Sequence, residues 1–287
     1  MSTDTAPDTA WVNGRFLPLA DASVSVLDRG FLFSDSVYEV IPVYAGTPFR
    51  MDDHLQRLAR SLDALGIADP HGIDGWRALL AELVEVNGGG DLAIYLQVTR
   101  GAPPRRDHRI PHDVEPTVVA FCQTRAAPDP EALAAGLAAI TTDDTRWRDC
   151  HIKSTSLLAN VLAADAARAE GATEAILVRD GAVLEGTSSN VFAVIDGRLV
   201  TPALRPTILP GITRGVVLGI ARAQALDHAE VDTLTPEALR AAEEVWITSS
   251  TREIFPVTRL DGATVGDGVP GPLWTRVRGW LQAELHE

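Results

Sequence analysis

The second half of the chain is dominated by short segments of strand-like composition. EAILVRD, AVLEG, NVFAVID and RLVTP follow one another, and the dipeptides Asp180-Gly181 and Asp196-Gly197 between them are typical of β-hairpins. Helical periodicity interrupts this series at about 156–170, 213–225, 235–242 and 273–285. This pattern predicts a strand-rich, barrel-like C-terminal domain over residues 131–287.

The first half has a different pattern. Three β-branched or aromatic runs predict strands at 37–44, 93–100 and 117–124, and apolar residues from Asp53 onward predict a helix that is followed by another near Trp76 to Val86. We therefore expect an α/β N-terminal domain over residues 1–124. The segment RAAPDP at 125–130 contains two prolines and no apolar periodicity, so it is the expected linker. A cleft between two such domains is the default ligand site.

Composition excludes several classes of protein. The chain of 287 residues carries a net charge of -14, which disfavours nucleic acid and acidic membranes as partners. It has two cysteines, too few for a disulfide framework, and neither a signal peptide nor an apolar run that could span a bilayer. These features predict a cytoplasmic location, with no nucleic-acid partner and no membrane partner.

One basic residue differs in kind from all the others. Of the 25 basic residues, 24 are arginine, and the one lysine is Lys153. Arginine replaces lysine on a solvated surface, but its guanidinium stays protonated and cannot act as an amine nucleophile. Biased codon usage explains the missing lysines, although it does not explain why this one was kept. A chemical role for Lys153, such as Schiff-base formation, is therefore the favoured interpretation.

The surroundings of Lys153 fit that role. We expect a helix to begin near Ser154 or Thr155, and the positive end of a helix favours the neutral amine. Glu185, in LEGTSSN, follows a strand. If a cofactor with a pyridine ring forms the Schiff base, this carboxylate could face the ring nitrogen and keep the electron-withdrawing ring protonated. An ordinary surface glutamate is the alternative. A serine nucleophile at Ser188 or Ser189 is disfavoured because the G-x-S-x-G motif is absent.

Three further segments could bind a phosphate. Gly211, Ile212 and Thr213 lie at an expected helix start, where backbone N–H groups bind anions. The run ITSSTREI at 247–254 supplies hydroxyl groups, and Arg57 could add a full positive charge. Each of these features on its own is more often structural than functional.

The motifs HLQRL, IKSTSLLANV, EAILVRDG, LEGTSSNVF, ILPGITR and ITSSTREIFPV follow each other in this order. With these motifs in this order, the chain resembles the class IV (fold type IV) aminotransferases, which depend on pyridoxal 5′-phosphate (PLP). The resemblance extends from about Trp11 to Leu285. The resemblance implies a small α/β N-terminal domain, a larger barrel-like C-terminal domain with PLP in the cleft between them, and a homodimer. It implies no metal site.

The resemblance also implies roles for individual residues. Lys153 would form the Schiff base, Glu185 would face the pyridine nitrogen, and Glu174 would be a carboxylate near the catalytic lysine. The other implied cofactor-binding residues are Arg57, Ile212, Thr213, Ser249 and Ser250 at the phosphate, and Ser188, Ser189, Asn190 and Leu209 near the ring.

Within this family, FSDSVYEVIPVYAG and RGAPPRRDHRIP are most similar to the D-amino-acid transaminases of the D-alanine aminotransferase type. The implied substrate-binding residues are Tyr38, Val40, Arg106 and His108, with the R-x-H pair supplied by the partner subunit. Two features depart from the family pattern: Ser34-Asp35-Ser36 replaces the frequent G-D-G, and Arg105 and Arg109 compete with Arg106 for the substrate carboxylate.

The expected reaction exchanges an amino group between D-alanine or D-glutamate and 2-oxoglutarate or pyruvate. Branched-chain L-amino-acid and (R)-amine transaminases of the same fold are the nearest alternatives. Aminodeoxychorismate lyase is a more distant one. A PLP-binding protein without catalytic activity is the alternative from another class, and the retained lysine disfavours it.

Overall fold

The computed structural model describes residues 7–285, which form two compact units. The first contains residues 7–126 together with Ile152–Ser156, and the second contains Ala127–His151 and the chain from Leu157 onward. The division falls inside the expected linker at 125–130, but the excursion of Ile152–Ser156 was not foreseen. That each unit folds as an independent domain stays a prediction. No helix within 7–285 has the length and apolar character needed to span a bilayer.

The first unit is built on a six-stranded antiparallel sheet with the strand order β2-β1-β6-β5-β3-β4. Its strands are β1 (Thr9–Val12), β2 (Arg15–Pro18), β3 (Ser36–Tyr44), β4 (Thr47–Pro48), β5 (Leu92–Thr99) and β6 (Thr117–Thr124). The three long strands match the three predicted ones to within one residue at each end. They are rich in β-branched and aromatic residues, which pack well on a half-buried pleated surface.

Three helices belong to this unit: α1 (Arg29–Phe33), α2 (Met51–Leu65) and α3 (Gly72–Val86). Leu55, Leu58 and Leu62 on α2 are almost fully buried in the core, as their helical spacing predicts. Helix α2 is capped by Gly66, whose φ of +61° is typical of a left-handed C-terminal cap. Helix α3 starts four residues before the predicted Trp76.

The second unit contains a nine-stranded sheet in which eight strands follow the order β12-β11-β10-β13-β14-β7-β8-β9, and β15 pairs with β14. The strands are β7 (Leu137–Asp143), β8 (Glu174–Arg179), β9 (Ala182–Gly186), β10 (Asn190–Ile195), β11 (Arg198–Pro202), β12 (His228–Val231), β13 (Glu244–Ser249), β14 (Glu253–Leu260) and β15 (Ala263–Thr264). Strand β9 at one end of this order is joined to β10, near the other end, by residues 187–189 alone. The sheet must therefore curl, which confirms the predicted barrel-like architecture.

The helices of the second unit are α4 (Pro130–Ala135), α5 (Leu158–Ala169), α6 (Ile212–Ala223), α7 (Pro236–Arg240) and α8 (Pro272–Leu285). The predicted start of α5 near Ser154 or Thr155 is wrong, since the helix begins at Leu158. The reason lies in the first unit, where Ser154 forms a β-bridge with Val37 and the N–H of Thr155 donates to the carbonyl of Ser36. Pairing with a strand edge keeps these residues extended.

Candidate active site

Lys153 is held from both sides of its backbone. Its N–H donates to Ser61 Oγ on α2 at 3.2 Å, and its carbonyl accepts from the N–H of Tyr38 on β3 at 3.0 Å. Its amine lies 4.2 Å from the centroid of the Tyr38 ring. Because no helix begins beside Lys153, the helix-end argument for a neutral amine no longer applies. The backbone bonds to Ser61 and Tyr38 and the contact with the Tyr38 ring position the residue instead.

Tyr38 belongs to an aromatic stack that crosses three strands. Its ring stacks on Tyr95 at 5.7 Å between centroids, and Tyr95 stacks on Phe121 at 5.0 Å. Val40 lies opposite Tyr95 in the register of β3 and β5. The Tyr95 hydroxyl donates to Gln97 Oε1 at 2.7 Å, and burial, with a smaller effect of Tyr38, raises its pKa to about 12. Tyr95 therefore stays protonated, and it was not found from the sequence.

The structure shows what the two serines of Ser34-Asp35-Ser36 do in place of the glycines of the G-D-G pattern. Ser34 has a φ of +55°, a left-handed conformation that glycine adopts more readily, so this serine carries some backbone strain. Ser36 is fully buried, and its hydroxyl lies 2.5 Å from the hydroxyl of Thr155. The second serine thus ties β3 to the segment that carries Lys153.

Arg57 lies in a buried cluster with Glu39 and His54. Its Nε and Nη2 donate to the two oxygens of Glu39 at 2.8 and 2.7 Å, and His54 Nδ1 lies 2.7 Å from Glu39 Oε2. Burial alone would raise the pKa of Glu39, but the charge and hydrogen bonds of Arg57, together with His54, hold it at about 2. Burial lowers the pKa of His54, so the ion pair is Arg57 with Glu39. The assignment of Arg57 to a phosphate stays a prediction, now for a guanidinium that already binds a carboxylate.

Arg106 and Arg109, both in the loop 101–113, have different partners. Arg109 is bound to the Asp107 carboxylate, with Nη2 at 2.5 Å from Oδ2, and this arginine lowers the pKa of Asp107. The Arg106 guanidinium lies 4.9 Å from the Phe33 ring centroid and has no carboxylate partner among residues 7–285. His108 is exposed beside them.

In the second unit, hydrogen-bond donors of Arg146, Asn190 and Leu209 orient Glu185. Its buried carboxylate accepts from Arg146 Nη1 at 2.5 Å, from Asn190 Nδ2 at 3.1 Å and from the N–H of Leu209 at 3.0 Å. Asp144 in turn holds Arg146 through two bonds of 2.9 and 3.0 Å. The structure thus brings together Glu185, Asn190 and Leu209, which were predicted. It adds Arg146 and Asp144, for which no motif gave a signal.

Glu174 is bound to the turn between β9 and β10. Its carboxylate accepts from the N–H and the hydroxyl of Thr187 at 3.0 and 2.5 Å and from Ser189 Oγ at 3.0 Å. Arg252 Nη1 lies 3.8 Å from Glu174 Oε2, and Ser188 at the tip of the turn is exposed. These contacts explain Glu174 as the residue that shapes the turn, while its catalytic role stays a prediction.

The start of α6 has the features of an anion site. Gly211 caps this twelve-residue helix without a side-chain hydrogen bond, and a Cβ at Gly211 would collide with Asn190. Thr213 follows in the first turn, and Ser249 and Ser250 lie at the end of β13. The Thr248 hydroxyl, which register pairing places beside Asn190, is buried without a partner in the described part of the chain. Open backbone donors and an unused hydroxyl fit a phosphate group.

Comparison with known proteins identifies the relatives of this chain. A family model for the class IV amino-transferases matches residues 36–260. The chain is 42% identical to the D-alanine aminotransferase of Bacillus licheniformis over 95% of both chains, and 41% identical to that of Listeria innocua serovar 6a over 96% and 95%. Its fold is similar to the branched-chain amino acid aminotransferase of Escherichia coli, with a TM-score of 0.90, 27% identity and coverage of 96% and 94%.

Proposed function

Because the chain belongs to the class IV aminotransferases, which are PLP-dependent enzymes, we propose that it transfers the amino group between D-amino acids and 2-oxoacids. D-alanine and D-glutamate are the donors, and 2-oxoglutarate and pyruvate are the acceptors. The observation that carries this proposal is the 42% identity with a D-alanine aminotransferase over 95% of both chains.

The residues assigned to PLP have the chemistry that this cofactor requires. Lys153 supplies the amine for the cofactor aldehyde, and the α6 start with Thr213 supplies phosphate donors; the proposal also assigns Arg57, Ile212, Ser249 and Ser250 to the phosphate. PLP, when bound, supplies the electron sink that makes the substrate's α-proton acidic. Lys153 Nζ then moves that proton, since it is the one side-chain amine of the chain.

Glu185 holds the proton of the pyridine nitrogen in this proposal. Its carboxylate is oriented by Arg146, Asn190 and the N–H of Leu209, so that it is presented in a fixed direction. Such fixed donors and charges cost no reorganisation when the reaction occurs. Arg146 is therefore assigned the role of orienting Glu185.

Arg106 and His108, with Tyr38, bind the substrate carboxylate in the proposed enzyme. Arg106 is preferred over Arg109 because Asp107 already binds the Arg109 guanidinium. A guanidinium without a carboxylate partner is available to a substrate carboxylate, which it binds bidentately. The proposal includes a homodimer, in which this loop serves the other subunit, and a location in the cytoplasm.

Branched-chain L-amino-acid transamination is the second candidate, favoured by the TM-score of 0.90 to such an enzyme. Absorbance spectra of the PLP enzyme titrated with D-alanine, L-leucine, L-glutamate and an (R)-amine separate the candidates. We expect D-alanine to convert the cofactor spectrum fastest, with L-alanine as the matched control. Faster conversion by L-leucine or L-glutamate would overturn the D-amino-acid assignment.

A further inference from the structure

We propose that Arg29 is a positioning residue that holds the loop carrying Arg106 and His108 in its carboxylate-binding shape. The inference rests on the proposed function in so far as it assigns these two residues to the substrate carboxylate. Arg29 is the first residue of α1 and does not belong to the loop itself.

The contacts of Arg29 cover the backbone at the centre of the loop. Its Nη1 donates to the carbonyl of Asp107 at 2.5 Å and to that of Arg109 at 3.2 Å, while Nη2 donates to the carbonyl of His108 at 3.2 Å. Three successive carbonyls therefore converge on one guanidinium. The planar fork of arginine suits this arrangement, whereas a lysine ammonium is a single point donor on a flexible stem.

The Arg29 side chain is itself immobilised. It is only 4% exposed, and its Nε donates to Asp35 Oδ2 at 2.7 Å. Arg100 binds the same carboxylate at 2.8 and 3.0 Å and also donates to the carbonyls of Leu65 and Gly66 at the end of α2. Burial opposes ionisation of Asp35, but the two arginines outweigh it and lower its pKa. The fork is thus linked through Asp35 and Arg100 to the core helix of the first unit.

The backbone of Arg29 is fixed as well. Its N–H donates to the carbonyl of Gly101 at 2.9 Å, where the loop begins, and Asp28 caps α1 by accepting from the N–H of Gly30 at 2.8 Å. A Cβ at Gly30 would collide with Thr99, so α1 approaches β5 closely. One residue therefore contacts both the start and the centre of the loop.

Helix α1 also contacts the Arg106 side chain. The Phe33 ring lies 5.0 Å from the Arg29 guanidinium carbon and 4.9 Å from that of Arg106. Cation–π contacts of this kind restrain a guanidinium. The loop backbone and the side chain that binds substrate are thus held by the same short helix.

The test compares Arg29→Lys with Arg100→Lys. Both arginines are buried and bind Asp35, but only Arg29 contacts the loop. Hydrogen exchange of the peptide covering 105–113 reports on the loop without requiring activity. The carboxylate site is measured in two ways. One is the binding of 2-oxoglutarate to the PLP form, which cannot transaminate an oxoacid. The other is a comparison of the change in KM with the change in kcat.

We expect Arg29→Lys to speed exchange in 105–113. It should weaken 2-oxoglutarate binding and raise the KM for D-alanine by about tenfold, or about 1.4 kcal/mol, with kcat within about twofold of wild type. Arg100→Lys leaves the three bonds from Arg29 to the loop carbonyls in place, so it should change loop exchange, oxoacid binding and KM clearly less than Arg29→Lys does, although it lowers stability. Equal effects of the two variants would overturn the specific role of Arg29. Unchanged loop exchange in Arg29→Lys would overturn the anchoring, and faster exchange with unchanged binding and KM would overturn its link to the carboxylate.

Phe33→Leu serves if Arg29→Lys does not fold. It should raise KM about threefold through Arg106, by loss of a contact of about 0.6 kcal/mol, with unchanged loop exchange. An unchanged KM in that variant would overturn the part of the inference that links α1 to the Arg106 side chain. If the wild-type enzyme prefers another amino acid to D-alanine, the proposed function fails, and the same comparison is made with that amino acid.

Discussion

Replacing Glu39 by glutamine removes the negative charge from the buried cluster with His54 and Arg57. The difference between the ordinary pKa of 4.5 and the value of about 2 in the folded chain corresponds to about 3 kcal/mol of stabilisation. Glu39→Gln also removes the charged carboxylate that the Arg57 guanidinium, which is 3% exposed, binds. Breaking such a buried pair costs about 3–5 kcal/mol. We therefore expect the free energy of unfolding to fall by about 3 kcal/mol at neutral pH.

The dependence on pH has a definite sign. The pKa of Glu39 is lowered on folding, so its contribution is complete above pH 4.5 and is lost as the pH falls through about 2. The difference between wild type and Glu39→Gln should shrink over the same range. Urea unfolding of the protein without cofactor at a series of pH values measures it. Asp52→Asn, which removes an exposed partner of Arg77, is the matched control and should have no measurable effect.

Two results would refute this reasoning. A loss of less than about 1 kcal/mol in Glu39→Gln would mean that the cluster does not store the expected ion-pair energy. A full difference that persists at pH 2 would mean that the effect does not come from the charge of Glu39.

Three further predictions concern the cofactor residues. Lys153→Ala should abolish covalent attachment of PLP after borohydride reduction, and peptide mapping of the wild type should place the label on Lys153; a label elsewhere would contradict this. Glu185→Gln should lower kcat by about tenfold or more, whereas the exposed Glu170→Gln should not, and wild-type kinetics in Glu185→Gln would contradict the assignment. Arg146→Met should lower kcat and reduce the free energy of unfolding by about 3 kcal/mol, measured by denaturant titration, and an unaltered midpoint would count against it.

Local sequence patterns predicted the elements well, because burial imposes a period of about two on strands and 3.6 on helices. The leucines of α2 and the barrel-like sheet of the second unit are examples. Ser154 and Thr155 misled the prediction of α5, since hydroxyl residues are good helix caps but here pair with β3. A local sequence pattern does not show that pairing with a distant strand competes with helix capping.

The residues that the sequence did not reveal act through distant partners. Arg146 binds Glu185 across 39 positions, and Arg29 binds the carbonyl of His108 across 79. Neither arginine stands out among the 24 in the chain. Lys153 did stand out, because its residue type is unique. A residue of unique type could therefore be recognised in the sequence, whereas the contact partners of the two arginines could be identified only from the folded structure.

The single lysine also changes how this protein meets reactive aldehydes. Sugars and formaldehyde modify proteins chiefly at lysine amines, and this chain offers one, half-buried against Tyr38, besides its N-terminus. In the proposed enzyme the cofactor occupies that amine. Aldehyde damage at lysine would then be confined to molecules that have lost PLP, where it falls on the residue proposed to form the Schiff base. On this proposal, cofactor occupancy protects the one lysine side chain of the protein from aldehydes.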